Sequence, residues 1–131
     1  MKKIEVVAAI ICFENEILCV QRPENKYSYI SRKYEFPGGK IEQGETRKEA
    51  LSRELIEELN ILPQIQDEFL TVVHAYPDFE ITMHSFICLT NSKDITLTEH
   101  IDSKWLKLEE LNHLDWAAAD VPIVKKLVGN A

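Results

Sequence analysis

Cysteine is scarce, with only Cys12, Cys19 and Cys88 in 131 residues. Three thiols cannot all pair within one chain, and none stands at C-x-x-C spacing, so neither a disulfide framework nor a zinc site is expected. Each lies in an apolar segment, which favours buried free thiols in a reducing cytosol. Long apolar runs are also missing. The stretch from Val6 to Phe13 is too short to cross a bilayer and is broken by Glu14, Asn15 and Glu16 before Ile17 resumes. Lys2 and Lys3 precede it, but no small-residue cleavage site follows, so no export signal is read and a cytoplasmic protein without membrane contact is expected. Basic charge is in deficit, 15 Lys and Arg against 22 Asp and Glu for a formal net charge of -7. That balance excludes the broad basic face needed for polymeric nucleic acid. A small phosphorylated ligand needs only a local basic patch or a bound cation, and remains open. Repeats, linkers and low-complexity tracts are absent, so one domain over residues 1–131 is expected, as a monomer or homodimer.

What is present reads as strands and helices in alternation. Residues 4–12 and 16–21 carry Val, Ile, Ala, Cys and Leu around Glu14 to Glu16, the pattern of a hairpin. Residues 68–76 and 80–90 form a second, with Pro77 and Asp78 as turn chemistry. Trp105 and Leu106 mark a short strand, Leu108 to Leu114 a short helix and Val121 to Val128 a terminal helix. The segment from Arg22 to Tyr34 is polar and partly basic, with phosphate contact and plain solvated loop as its two uses.

The chemistry concentrates between Phe36 and Ile61. Thr46 and Glu49 have the spacing of a capping box, which opens a helix to Leu59, and Asn60 stands where a left-handed residue would end it. On that helix Leu51, Leu55 and Leu59 form the core stripe. Glu54, Glu57 and Glu58 are neighbours beside it, at i, i+3 and i+4. Like charges so placed repel, and a hard divalent cation relieves the repulsion, whereas Arg53 and Lys48 on a merely solvated face would do so only in part. Upstream, Gly38 and Gly39 let backbone approach a ligand closely, and Lys40 adds a positive point charge.

Together these positions resemble the Nudix signature: G, five residues, E, seven residues, R-E-U, one residue, E-E, one residue, G-U, with U a bulky aliphatic. Gly39, Glu45, Arg53, Glu54, Leu55, Glu57, Glu58 and Ile61 match it across residues 39–61, and only Asn60 departs, in place of a glycine. Asn also tolerates the left-handed conformation, so the departure should cost a little at the helix end and nothing in chemistry. Ile4 to Ile11, Gln21-Arg22-Pro23, Tyr34 to Lys40 and Ala119-Asp120-Val121-Pro122 extend the resemblance to MutT-type triphosphate pyrophosphohydrolases over nearly the whole chain.

The resemblance implies an α/β (α+β) Nudix fold, a mixed β-sheet sandwiched between α-helices. It implies Mg2+ as cofactor, with Mn2+ an alternative, held by Glu54, Glu57, Glu58 and the Gly38 carbonyl. Arg53 would orient the glutamates and Glu45 support them. Glu99 resembles the acidic residue that MutT-type enzymes bring from outside the box as ligand or base, with a solvated side chain as the other reading; His100 beside it is expected at the surface. Glu54 or Glu57 would take a proton from water, and Lys40 with Arg22 would bind phosphate oxygens. His74, His84 and His113 lack zinc-ligand spacing and are expected to be structural.

Base choice lies outside the signature. The position of Asp120 reads the base edge in MutT-type enzymes, and Phe36, Phe79 and Ile81 resemble the walls of the base pocket. A carboxylate accepts hydrogen bonds only, which suits the N–H-rich edge of 8-oxo-dGTP and also the cytosine amino group. The implied reaction is hydrolysis of a nucleoside triphosphate to monophosphate and pyrophosphate, foremost as nucleotide-pool sanitation of 8-oxo-dGTP, with a CTP, dCTP or 5-substituted cytidine triphosphate pyrophosphohydrolase as the alternative. Asp120 has a second expected use as N-cap of the terminal helix, since Pro122 suits a first turn. Non-catalytic sensor modules of the family commonly lose box glutamates, whereas this chain keeps all of them. An isoprenoid diphosphate isomerase would need a cysteine and insertions that have no counterpart here.

Overall fold

A computed structural model of the chain describes residues 1–129; residues 130 and 131 of the expected domain lie outside the described part. The first apolar run forms β1 (Lys2–Phe13), paired antiparallel with β2 (Glu16–Gln21) in the expected hairpin, with Cys12 opposite Ile17. Glu14 takes the left-handed turn position at φ 53. Residues Val6 to Ile11 are buried without alternation, as a strand covered on both faces requires. β3 (Tyr34–Glu35) and β4 (Gly38–Lys40) are two short strands, where Tyr34 was expected to end a polar loop and the two glycines to form another.

Helix α1 (Arg47–Leu59) begins and ends where its local signals place it. The Thr46 hydroxyl accepts from the Glu49 amide at 3.1 Å while the Glu49 carboxylate accepts from the Thr46 amide at 2.8 Å. Such caps are worth about 1 kcal/mol. Asn60 closes the helix at φ 55, ψ 40, so it does the work of the glycine it replaces.

β5 (Gln64–Ala75) and β6 (Phe79–Leu89) form the second hairpin, and β7 (Asp102–Leu106) pairs with β2. β5 begins at Gln64 rather than residue 68, because its register slips on both sides of Glu68 and the bulges break the alternation that marks a strand. Residues Leu108–His113 form a 3-10 turn, and α2 (Val121–Gly129) is the terminal helix.

The strands run β3-β2-β1-β6-β5, with β4 also on β1 and β7 also on β2. The β1–β6 pair is parallel and the others antiparallel, so the sheet is mixed. Val7, Ala9 and Ile11 turn one face to Leu51, Leu55 and Leu59 of α1. Ala8 and Ile10 share the opposite cluster with Ile123, Val124 and Leu127 of α2. The expected sandwich of helix, mixed sheet and helix is therefore present. Cys12, Cys19 and Cys88 are free thiols, and burial pushes Cys19 and Cys88 up to about 12. Among the described residues no helix is long and apolar enough to cross a membrane.

Candidate active site

A cleft of about 380 Å³ opens over the β1 side of the sheet. At one end Gly38, Gly39 and Lys40 of β4 face Glu54 and Glu58 of α1, with Glu99 at the rim. At the other, Phe36, Phe79 and Ile81 stand around Asp120. Arg22 and Glu35 lie between the two ends.

Behind the carboxylate end, Arg53 uses its planar fork fully. Nε donates to Glu45 Oε2 at 2.7 Å and Nη2 to Glu45 Oε1 at 3.0 Å, the two-pronged geometry that suits a carboxylate. Nη1 donates to Glu54 at 3.0 Å and to Glu57 at 3.4 Å, and Nη2 also reaches the Lys40 carbonyl at 3.0 Å. One guanidinium thus fixes the glycine loop and two box glutamates at once. Hydrogen bonding to Arg53 holds Glu45 below the usual carboxylate range and, chiefly through Glu45, raises the Arg53 guanidinium further.

The three helix glutamates do not share one environment. The Glu58 side chain is 3% exposed, Glu54 is 16% and Glu57 is 56%. Glu57 and Glu58 differ by about 100° around the helix, so only one of them can adjoin the leucine stripe. Burial pushes Glu54 up against the pull of Arg53. Burial, then the charges of Glu35, Glu54 and Glu99, push the Glu58 carboxyl up to about 9. Its Oε2 is buried and, among the described residues, has no hydrogen-bond partner. An unpaired buried polar group costs about 1–3 kcal/mol, more if charged. A hard, oxygen-seeking divalent cation would supply the missing partner and relieve the repulsion, so these residues fit one. Among the described residues no three His, Cys, Asp or Glu side chains already stand as ligands of a single ion. With Glu54 and Glu57 hydrogen-bonded to Arg53, the carboxylates have no cause to converge alone.

Both glycines of the loop are needed, for different reasons. A Cβ on Gly38 would meet the Val7 carbonyl oxygen of β1 at 1.9 Å, whereas one on Gly39 would meet the Glu54 carboxyl carbon at 2.4 Å.

At the other end Asp120 is buried, and its Oδ1 accepts from the Phe36 amide at 3.0 Å. That bond reaches across the cleft wall, not into the first turn of α2. Burial and the Glu35 charge push its carboxyl well up, offset in part by the Phe36 amide and Arg22. Phe36 stacks on Trp116, ring centroids 4.7 Å apart, and the Tyr76 hydroxyl accepts from the Ala119 amide at 2.9 Å.

Two residues with no expected role occupy the middle. Glu35 on β3 accepts from Arg22 Nη1 at 3.1 Å and pairs with His100 Nε2 at 2.9 Å. His100, expected at the surface, has a side chain only 3% exposed and stands 3.8 Å from Glu58. It is drawn in because Thr98 donates from its hydroxyl to the Glu57 and Glu58 carbonyls at 2.9 and 3.0 Å, capping the end of α1. Nothing local in T-E-H announces that docking. His84 is buried between Thr71 and Glu5, in keeping with a structural role.

A family model described as NUDIX domain matches residues 6–126. The 8-oxo-dGTP diphosphatase of Escherichia coli (strain K12) is 36% identical over 128 residues, 97% of this chain and 98% of that protein. The CTP pyrophosphohydrolase of the same organism is 34% identical over 125 residues, covering 95% and 91%. Among solved structures, the DNA mismatch repair protein MutT (family Nudix hydrolase) from methicillin-resistant Staphylococcus aureus 252 superposes with a TM-score of 0.77 at 40% identity, covering 100% of both chains.

Proposed function

The chain belongs to the Nudix family, a hydrolase acting on the diphosphate bonds of nucleotides, and from that premise we propose a magnesium-dependent nucleoside triphosphate pyrophosphohydrolase that clears an oxidised purine nucleotide such as 8-oxo-dGTP. The observation that carries the reading is Glu58, a buried carboxylate with an orphaned oxygen in a cleft that also holds Glu54 and Glu99.

Glu54, Glu57, Glu58, Glu99 and the Gly38 carbonyl would hold Mg2+, or Mn2+ in its place. Once bound, the ion neutralises polyphosphate charge and lowers the pKa of a water for attack at phosphorus. Lys40 and Arg22 bind phosphate oxygens from the two sides of the cleft. Glu54, which lines the cleft, or Glu57 accepts the proton of the attacking water, with Glu99 at the rim as the other acidic group in reach. Arg53 keeps Glu54 and Glu57 in place. Phe36, Phe79 and Ile81 enclose the base, and Asp120 reads its edge. Changing Glu57 to Gln should leave the melting temperature unchanged and lower kcat by about a hundredfold or more; near-normal turnover would remove the assignment.

The second reading, a cytidine triphosphate pyrophosphohydrolase, draws on the same Asp120, since a lone acceptor also suits the cytosine amino group. Pyrophosphate release from 8-oxo-dGTP, dGTP, CTP, dCTP and 5-methyl-dCTP, with and without magnesium, ranks the bases. A kcat/KM for 8-oxo-dGTP no higher than that for dGTP would end the sanitation reading, and no release from any of the five would end both.

A further inference from the structure

The strongest observation the reaction leaves unused is the run of contacts His100–Glu35–Arg22. Glu35 is the centre of it, with one carboxylate oxygen on each neighbour, 2.9 Å from His100 Nε2 and 3.1 Å from Arg22 Nη1. All three residues line the cleft, but the Glu35 side chain is 17% exposed and that of His100 3%, so the chain is shielded at its hinge and most open at its far end. Arg22 is that end, with a side chain 36% exposed. Among the described residues its guanidinium bonds through Nη1 alone, so it is held at one corner and keeps Nη donors to give.

We propose that Glu35 is a positioning residue that aims the Arg22 guanidinium at the polyphosphate, and that His100 locks Glu35 in the orientation this requires. The inference rests on the reading that the cleft takes a nucleoside triphosphate. An arginine on a flexible stem loses rotamer freedom when it grips phosphate, and that loss weakens binding unless the side chain is ordered beforehand. Here the ordering is done by backbone as well as side chains. Glu35 is fixed on β3 opposite Val20, and the Arg22 amide donates to the Lys33 carbonyl at 2.9 Å. His100 is fixed by the Thr98 cap on α1 and by the Ile101 amide donating to the Gln21 carbonyl at 3.0 Å. The phosphate-binding arginine, the acidic segment at the rim and the end of the metal helix are therefore set by one connected frame. Arg22 grips the phosphates equally in ground and transition states, so losing Glu35 should raise KM and leave kcat nearly unchanged.

A mutant cycle tests this. The wild type, Glu35→Ala, Arg22→Ala and the double variant are titrated with an α,β-imido analogue of dGTP in magnesium, and KM and kcat are measured with dGTP. Each single change should weaken analogue binding roughly tenfold, and the double variant should bind no worse than the weaker single one, since both act through one guanidinium. Glu35→Gln, whose amide oxygen still accepts from Arg22, should recover most of the affinity; if the alanine variant does not fold, Glu35→Leu, which fills the space without an acceptor, takes its place in the cycle. Single losses that multiply in the double variant, an unchanged affinity in Glu35→Ala, or a fall in kcat at constant KM would each overturn the inference. Wild-type protein that neither binds the analogue nor releases pyrophosphate would overturn the functional reading beneath it instead.

Discussion

Gly39 and Glu54 face each other so closely that a methyl group on the glycine would sit 2.4 Å from the carboxyl carbon of the glutamate. The obstacle is the end of a side chain, which can swing aside, so Gly39→Ala should fold with a melting temperature close to the wild type. Glu54 must then leave its place against Arg53, and kcat should fall by about tenfold or more. Full activity in a folded Gly39→Ala protein would show that the position of Glu54 does not matter.

Gly38 makes the opposite case. Its added methyl would strike the Val7 carbonyl of β1, and backbone in a central strand cannot swing aside. Gly38→Ala should lose about 3 kcal/mol of unfolding free energy, read by urea denaturation. A loss below about 0.5 kcal/mol would mean that β4 can shift off β1 freely.

Glu58 sets stability against chemistry. Its folded pKa of about 9 lies above the value of about 4.3 expected for an unfolded glutamate. Between those values the folded state binds the extra proton, so the stability this group contributes is full at low pH and is lost as pH rises through that window. In chelator-treated protein, Glu58→Gln should therefore melt higher than the wild type, with the gap growing from pH 5 to pH 9. Magnesium should raise the melting temperature of the wild type and not of the variant. A gap that shrinks with rising pH would show that the carboxylate is well solvated in the fold.

Arg53→Lys keeps the charge and removes the fork. A lysine has three donors on one atom and cannot span both Glu45 oxygens while holding Glu54, Glu57 and the Lys40 carbonyl. Turnover should drop by about ten- to a hundredfold with a small change in KM. Wild-type kcat in this variant would reduce Arg53 to a source of charge.

Asp120→Asn adds a donor at the base end and leaves the carboxylate end intact. The order of preference among the five nucleotides should change while the magnesium dependence stays the same. An unchanged order would place base recognition elsewhere in the cleft, for instance on the Phe36 backbone.

The helix of the signature box was legible because its signals are local. Thr46 and Glu49 cap each other across three residues, and Asn60 adopts the left-handed conformation its position calls for. The first hairpin was legible too, its apolar run being that of a strand covered on both faces. β5 was read short because bulges around Glu68 spoil the alternation. The glutamates were read as one patch, but a helix turns far enough between Glu57 and Glu58 to bury one and expose the other.

By itself, the sequence determined the residues of the box, their spacing and the helix that carries them, because periodicity and capping act over a few residues; the sheet they pack on was implied only by the resemblance. It could not determine that Glu35, His100 and Arg22 would meet, since 65 residues separate Glu35 from His100 and only the docking of Thr98 on α1 closes that gap. Nor could it determine that Glu58 would be stripped of water and crowded by Glu35 and Glu99. Desolvation and long-range charge belong to the packed molecule, and they turn three ordinary helix glutamates into three different groups.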